Sequence, residues 1–166
     1  VYTVHNECQD CYKCIRLCPV KAIKVQGGRA EVIPGRCIAC GRCVSACPSR
    51  AKKIRYDLNK AVGLVSEGKR VILSLAPSWR AAFETDSEGL VSSLKARGVS
   101  EVSETARGAQ DVSIQTAAIL EESGPSLYIS SACPVIVDYI RFYRPRFVKN
   151  SLPLASPALT HAGALK

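Results

Sequence analysis

The chain has 166 residues, 47% of them hydrophobic and 22% charged, enough for one ordinary domain or two small ones. Its 23 Lys and Arg outnumber 14 Asp and Glu, and a formal charge of +9 invites a nucleic-acid or acidic-membrane reading. No apolar run approaches the ~18 residues of a spanning helix, and the first residues lack a charged-then-apolar signal region.

Charge and sulfur both concentrate at the amino-terminal end. Residues 1–56 hold 11 Lys and Arg against Glu7, Asp10 and Glu31, together with eight of the nine cysteines. The remainder is nearly balanced, with 12 basic and 11 acidic residues. This predicts a small domain over 1–56, a connecting helix over 57–70 and a second domain over 71–166. Without an export signal, an odd cysteine count argues against a disulfide scaffold.

Cys8, Cys11, Cys14 and Cys18 precede Pro19, and Cys37, Cys40, Cys43 and Cys47 precede Pro48. Both read C-x2-C-x2-C-x3-C-P, and the second copy lies 29 residues after the first. The same offset superposes Lys13 on Arg42, Ala22 on Ala51 and Lys24 on Lys53, which marks an internal duplication. Three cysteines at x2 spacing predict a tight loop around a cluster corner, and the fourth is expected to start a short helix. Between the copies, Ile23 and Val25 alternate with Lys24, Gly27-Gly28 turns, and 30–33 returns, which predicts a hairpin. Zinc also uses C-x2-C pairs, but two zinc sites normally use separated pairs, and neither His lies in the repeat. Iron–sulfur chemistry is therefore expected.

The run resembles that of two-cluster bacterial ferredoxins, in which each fourth Cys ligates the other cluster. The resemblance implies two [4Fe–4S] clusters, one on Cys8, Cys11, Cys14 and Cys47, the other on Cys37, Cys40, Cys43 and Cys18. Fifty-six residues with little apolar core would need such clusters to fold. Their function would be one-electron relay. Each oxidised cluster with its thiolates brings roughly −2, so the bare count of +8 over 1–56 falls to about +4. The remaining basic surface would suit an acidic electron carrier.

From Ala51 to Gly68, Ile54, Leu58, Ala61 and Val65 recur at helical spacing with Gly68 as a stop, predicting the connecting helix. Val71 to Leu75 reads as a buried strand, followed by a helical stretch with Trp79 and Phe83. A helix is expected over Ser87–Arg97, a weak strand over Val99–Val102, and a helix over Gln110–Glu122. Leu127 to Ile129 reads as a strand, and Pro134–Tyr143 as a helix with Ile136, Ile140 and Tyr143 on one face. Strands separated by helices imply a parallel sheet. Three strand-to-helix turns carry Pro near the first helical position: Ala76-Pro77-Ser78, Ser131-Ala132-Cys133-Pro134 and Ser156-Pro157. Such turns lie where α/β folds place ligands. Cys133 would sit at a helix amino terminus, which favours a thiolate; a buried, inert Cys is the other reading.

A two-cluster ferredoxin unit followed by these turns in this order resembles the amino-terminal part of [FeFe]-hydrogenases, over nearly the whole chain. The fold implied is an α+β bacterial-ferredoxin-like unit followed by an incomplete α/β domain of the iron-hydrogenase large-subunit kind with a parallel sheet. In that family the second turn reads Thr-Ser-Cys-Cys-Pro; its second Cys ligates the cubane of the catalytic H-cluster and its first relays protons. By resemblance, Cys133 is the cubane ligand, and Ala76, Pro77, Ser78, Ala132 and Pro157 line the diiron pocket. Ala132 stands at the proton-relay position and cannot titrate. Ala158 follows Pro157 where Gln is usual, and Gln110-Asp111-Val112-Ser113 follows the Gly108-Ala109 loop in place of an Asp-Leu-Thr run. Gln115 and Thr116 stand where acidic residues usually follow. These departures resemble the sensory branch of the family and imply weak turnover.

An H-cluster cubane takes four cysteines, whereas Cys133 alone is left over. The chain contains no Met and stops at Lys166 in a helical stretch, so the remainder of the domain is expected elsewhere. The leading reading is iron–sulfur electron transfer feeding a hydrogenase site that interconverts H2 with protons and electrons. Its partners would be the rest of that domain and a soluble carrier such as ferredoxin, in the cytoplasm of an anaerobe, with no nucleic acid and no membrane span. The rivals are a non-catalytic electron-transfer module and a redox sensor without a diiron site. His5 and His161 are expected as surface or locally hydrogen-bonded residues, Trp79 as core, and Arg141, Arg144, Arg146 and Lys149 as a solvated face.

Overall fold

In the computed structural model, which describes residues 1–166, the duplication extends from the cysteines to the backbone. The chain begins with β1 (Tyr2–Thr3), a 3-10 turn (His5–Glu7) and the short helix α1 (Lys13–Leu17), followed by β2 (Ile23–Gln26). The second copy repeats this order with β3 (Arg29–Val32), a 3-10 turn (Pro34–Arg36), α2 (Arg42–Ala46) and β4 (Lys52–Lys53). β1 pairs antiparallel with β4, and β2 with β3. The two ladders are equivalent under the offset: Thr3↔Lys52 in one takes the place of Val32↔Ile23 in the other. Gly27 (φ +57°) and Gly28 (φ +76°) form the two-residue turn expected of the β2–β3 hairpin, where both central positions need left-handed backbone.

Residues 1–56 form one compact unit with residues 133–149. The latter carry α7 (Pro134–Tyr143) and the start of a 3-10 segment (Pro145–Asn150). The Tyr143 hydroxyl donates to the Arg36 carbonyl at 2.7 Å, with the Val20 carbonyl at 3.2 Å, and so ties α7 to both cysteine copies. The buried cluster of this unit is Cys14, Cys18, Ala22, Ile23 and Ala30, flanked by Cys8, Cys37 and Cys43. Sulfur and small residues stand beside Ile23 in places that large aliphatic side chains usually take.

The second unit comprises 57–132 and 150–166. It contains α3 (Leu58–Ser66), β5 (Ile72–Leu75), α4 (Trp79–Ala82), α5 (Ser87–Ala96), β6 (Glu101–Glu104), α6 (Ala106–Ser123) and α8 (Pro157–Ala164). β5 and β6 pair in parallel, from Ile72↔Glu101 to Leu75↔Glu104, with α4 and α5 in the crossover. α6 and α8 approach closely at Gly108, where a Cβ would lie 2.2 Å from the Pro157 carbonyl oxygen. His161 is only 2% exposed. Its Nδ1 meets Ser74 Oγ at 2.8 Å and its Nε2 meets Ser103 Oγ at 2.9 Å, so α8 is pinned to both strands.

Several expected elements differ. The connecting helix spans Leu58–Ser66, within the expected 57–70, and the helical spacing does not extend back to Ile54 because Lys52–Lys53 pairs with β1. β5 is half-buried rather than buried, as a two-stranded sheet has only edge strands. β6 lies two residues later than expected, and α6 begins four residues earlier, at Ala106. Leu127–Ile129 forms no strand; Ile129 makes a single parallel bridge with Ser151. Phe83 ends α4 and is exposed, whereas Trp79 is buried as expected. α8 ends at Ala164 rather than running through Lys166. No helix is long and apolar enough to cross a membrane.

Candidate iron–sulfur site

The x2 spacers carry left-handed residues in both copies: Asp10 and Tyr12 in the first, Ala39 and Gly41 in the second. Such residues let successive backbone N–H groups converge on one side of a loop, a favourable setting for anionic sulfur. The Ala39 N–H donates to Cys37 Sγ at 3.4 Å, and the Ala22 N–H to Cys18 Sγ at 3.2 Å. The short helices do not start at the fourth cysteine, as expected, but end there. Cys18 and Cys47 are the C-terminal caps of α1 and α2, and their N–H groups donate to Ile15 and Val44. The Pro that follows each cannot continue a helix, which accounts for the stop.

Cys18 of the first copy and Cys37, Cys40 and Cys43 of the second line one cavity, closed by Ile23 and Ile38. Of the other expected set, Cys14 lies within electrostatic reach of Cys47, and Cys8 packs against the same core. Cys11 and Cys40 are exposed. None of the nine cysteines forms a disulfide. Burial pushes the Cys14 and Cys43 thiols up, partly offset in both by Lys52. At Cys47 burial is outweighed by hydrogen bonds from the Ser49 hydroxyl and the Lys52, Ala51 and Ser49 N–H groups, and the thiol is lowered.

The donor set fits iron–sulfur clusters. A single zinc ion holds its thiolates ~2.3 Å from the metal and so draws them into contact. Four thiols around one cavity, two of them accepting from backbone N–H groups, suit a polynuclear cluster, whose ligands sit at its corners.

In the second unit, Ala76, Pro77 and Ser78 form an exposed turn at the carboxyl end of β5. Pro77 precedes the capping residue Ser78 rather than opening α4, whereas Pro134 and Pro157 do occupy first helical positions. The Ser131 hydroxyl donates to the Leu154 carbonyl at 2.7 Å, which fastens the Ala132 turn to the chain entering Pro157. Cys133 is the exposed N-cap of α7. One thiol cannot hold a cubane, so the residues described do not by themselves fit an H-cluster. His5 pairs with Glu31 at 3.0 Å, His161 is the buried hydrogen-bonded residue described above, and Arg141, Arg144, Arg146 and Lys149 are exposed.

Residues 1–48 match the family described as 4Fe-4S dicluster domain. Residues 69–166, more than half of the chain, match the iron only hydrogenase large subunit, C-terminal domain. The chain belongs to the iron-only hydrogenase large-subunit family. No curated protein matches it. In this hydrogenase-family chain the sequence reading passed over Lys52, which is 2% exposed and donates to Thr3 Oγ1 and to the Ala30 carbonyl. The available signal was the 29-residue offset, which aligns Lys52 with the buried Ile23.

Proposed function

We propose that the chain binds two [4Fe–4S] clusters, on Cys8, Cys11, Cys14 and Cys47 and on Cys37, Cys40, Cys43 and Cys18, and relays electrons one at a time. The observation that carries this reading is the shared cavity, which joins Cys18 of one copy to three thiols of the other. A bound cluster supplies the one-electron couple; the chain contributes thiolates, burial and N–H donors, which set the potential. Iron and acid-labile sulfide in anaerobically prepared protein should each reach about eight per chain. Zinc at about two per chain with no sulfide would overturn the reading.

The finer reading is a relay serving reversible interconversion of H2 with protons and electrons, at an H-cluster completed by residues beyond 1–166. Cys133 would be one cubane ligand, with Ala76, Pro77, Ser78, Ala132 and Pro157 lining the diiron pocket. The support is the order of the three turns within the matched hydrogenase domain. Ala132 offers no proton-relay group, so turnover is slow and the role suits a sensor of hydrogen or redox state. Ala132→Cys in a protein containing the whole domain should raise hydrogen turnover sharply; unchanged turnover would remove this explanation. The electron partner is a soluble acidic carrier such as a ferredoxin, which the exposed Arg16, Lys24, Arg36 and Arg42 suit.

A further inference from the structure

The duplication makes the two cysteine sets near-equivalent, and it is broken at one buried pair. Ile23 and Val32 face each other across the β2–β3 ladder, and both line the cavity of Cys18, Cys37, Cys40 and Cys43. In the β1–β4 ladder the same two places are taken by Lys52 and Thr3. An apolar pair in one ladder has become a cation and a hydroxyl in the other.

The exchange is not a surface accident. Lys52 is 2% exposed, more deeply buried than Ile23 at 7%. Burying an ammonium is costly unless it is hydrogen-bonded and compensated. Its hydrogen-bond partners are neutral, the Thr3 hydroxyl and the Ala30 carbonyl, and Thr3 itself donates to the same carbonyl at 2.8 Å. The nearby acids are engaged elsewhere, Glu7 with Lys53 and Glu31 with His5. The groups that feel its charge are sulfurs, Cys14 of the first set and Cys43 of the second, and the Lys52 backbone N–H donates to Cys47 of the first set.

Resting on the two-cluster reading, we infer that Lys52 is a built-in cation that makes the two clusters unequal, raising the potential of the one on Cys8, Cys11, Cys14 and Cys47 above its twin. Lys52 lines a cavity with Cys47 of the first set, as Ile23 lines the cavity of Cys18, Cys37, Cys40 and Cys43. Reduction adds one electron and one negative charge to a cluster and breaks no bond. A fixed ammonium in a poorly screened interior stabilises the reduced form over the oxidised form. Lys52 therefore acts as a positioning charge that sets which cluster accepts an electron first.

The test is Thr3→Val with Lys52→Ile, which rebuilds in the β1–β4 ladder the apolar pair that the β2–β3 ladder already accommodates. Redox titration with dithionite, followed by paramagnetic resonance, gives both midpoints in the wild-type chain and in the variant. The higher midpoint should fall and the gap between the two narrow, with iron content unchanged. Midpoints that stay put, or fall equally with the gap preserved, would overturn the inference. Should the double variant fail to take up iron, Lys52→Arg decides: wild-type midpoints support the charge, and loss of iron in that variant too assigns Lys52 a structural role and overturns the inference. Iron and sulfide content of the wild-type chain tests the two-cluster reading separately.

Discussion

The buried residues of the first unit include Cys14, Cys18, Ala22, Ile23 and Ala30, while the second buries Trp79, Leu90, Val112 and Leu152 together with His161. Both units build short strands and helices, and the first also buries Ile38 and Ile140, but only the first places cysteines among its most enclosed side chains. In the first, Cys14 and Cys18 lie at the centre, so under the proposed ligation burial and metal binding are one event. In the second, order comes from helix–helix contact at Gly108 and from one histidine bridging two strands.

The largest break in this comparison should come from removing iron. Chelation under denaturing conditions followed by refolding without iron should abolish amide-exchange protection in α1, α2 and the β2–β3 hairpin. Protection in β5, β6 and α6 should persist. Equal loss in both units would contradict the contrast.

The reverse perturbation is Gly108→Ala. A methyl group would sit 2.2 Å from the Pro157 carbonyl oxygen and 2.8 Å from His161 Cβ, and neither is the free end of a flexible side chain. Overpacking of this kind costs about 1–3 kcal/mol. Thermal unfolding should show the loss in the second unit while iron content stays at the wild-type value.

What the sequence made legible follows the same divide. The cysteine runs, the Gly27-Gly28 turn and the helix opening at Pro134 are local signals, each decided by residues a few positions apart, and all three appear where expected. β4 was missed because its partner is β1, about fifty residues away in sequence. The burial of His161 depends on Ser74 and Ser103, 87 and 58 residues distant, and no spacing rule anticipates such a meeting. Lys52 looked like one more basic residue in a basic segment, since charge counting does not separate a solvated lysine from one enclosed by two strands.

A smaller effect would sharpen the likeness between the copies. Tyr12 holds φ +54° at the place where the second copy has Gly41. A non-glycine residue in that region costs about 1–2 kcal/mol, partly returned by the greater freedom glycine has when unfolded. Tyr12→Gly should therefore stabilise the holo unit by less than about 1 kcal/mol, read from its thermal midpoint.

The central claim, that each copy lends its fourth cysteine to the other, is tested most directly by thiol labelling. The triple substitution Cys37→Ser, Cys40→Ser and Cys43→Ser removes three ligands of one cluster and should leave about four iron atoms per chain. Alkylation under anaerobic native conditions should then modify Cys18 and spare Cys47. Modification of Cys47 with Cys18 protected would contradict the crossed arrangement.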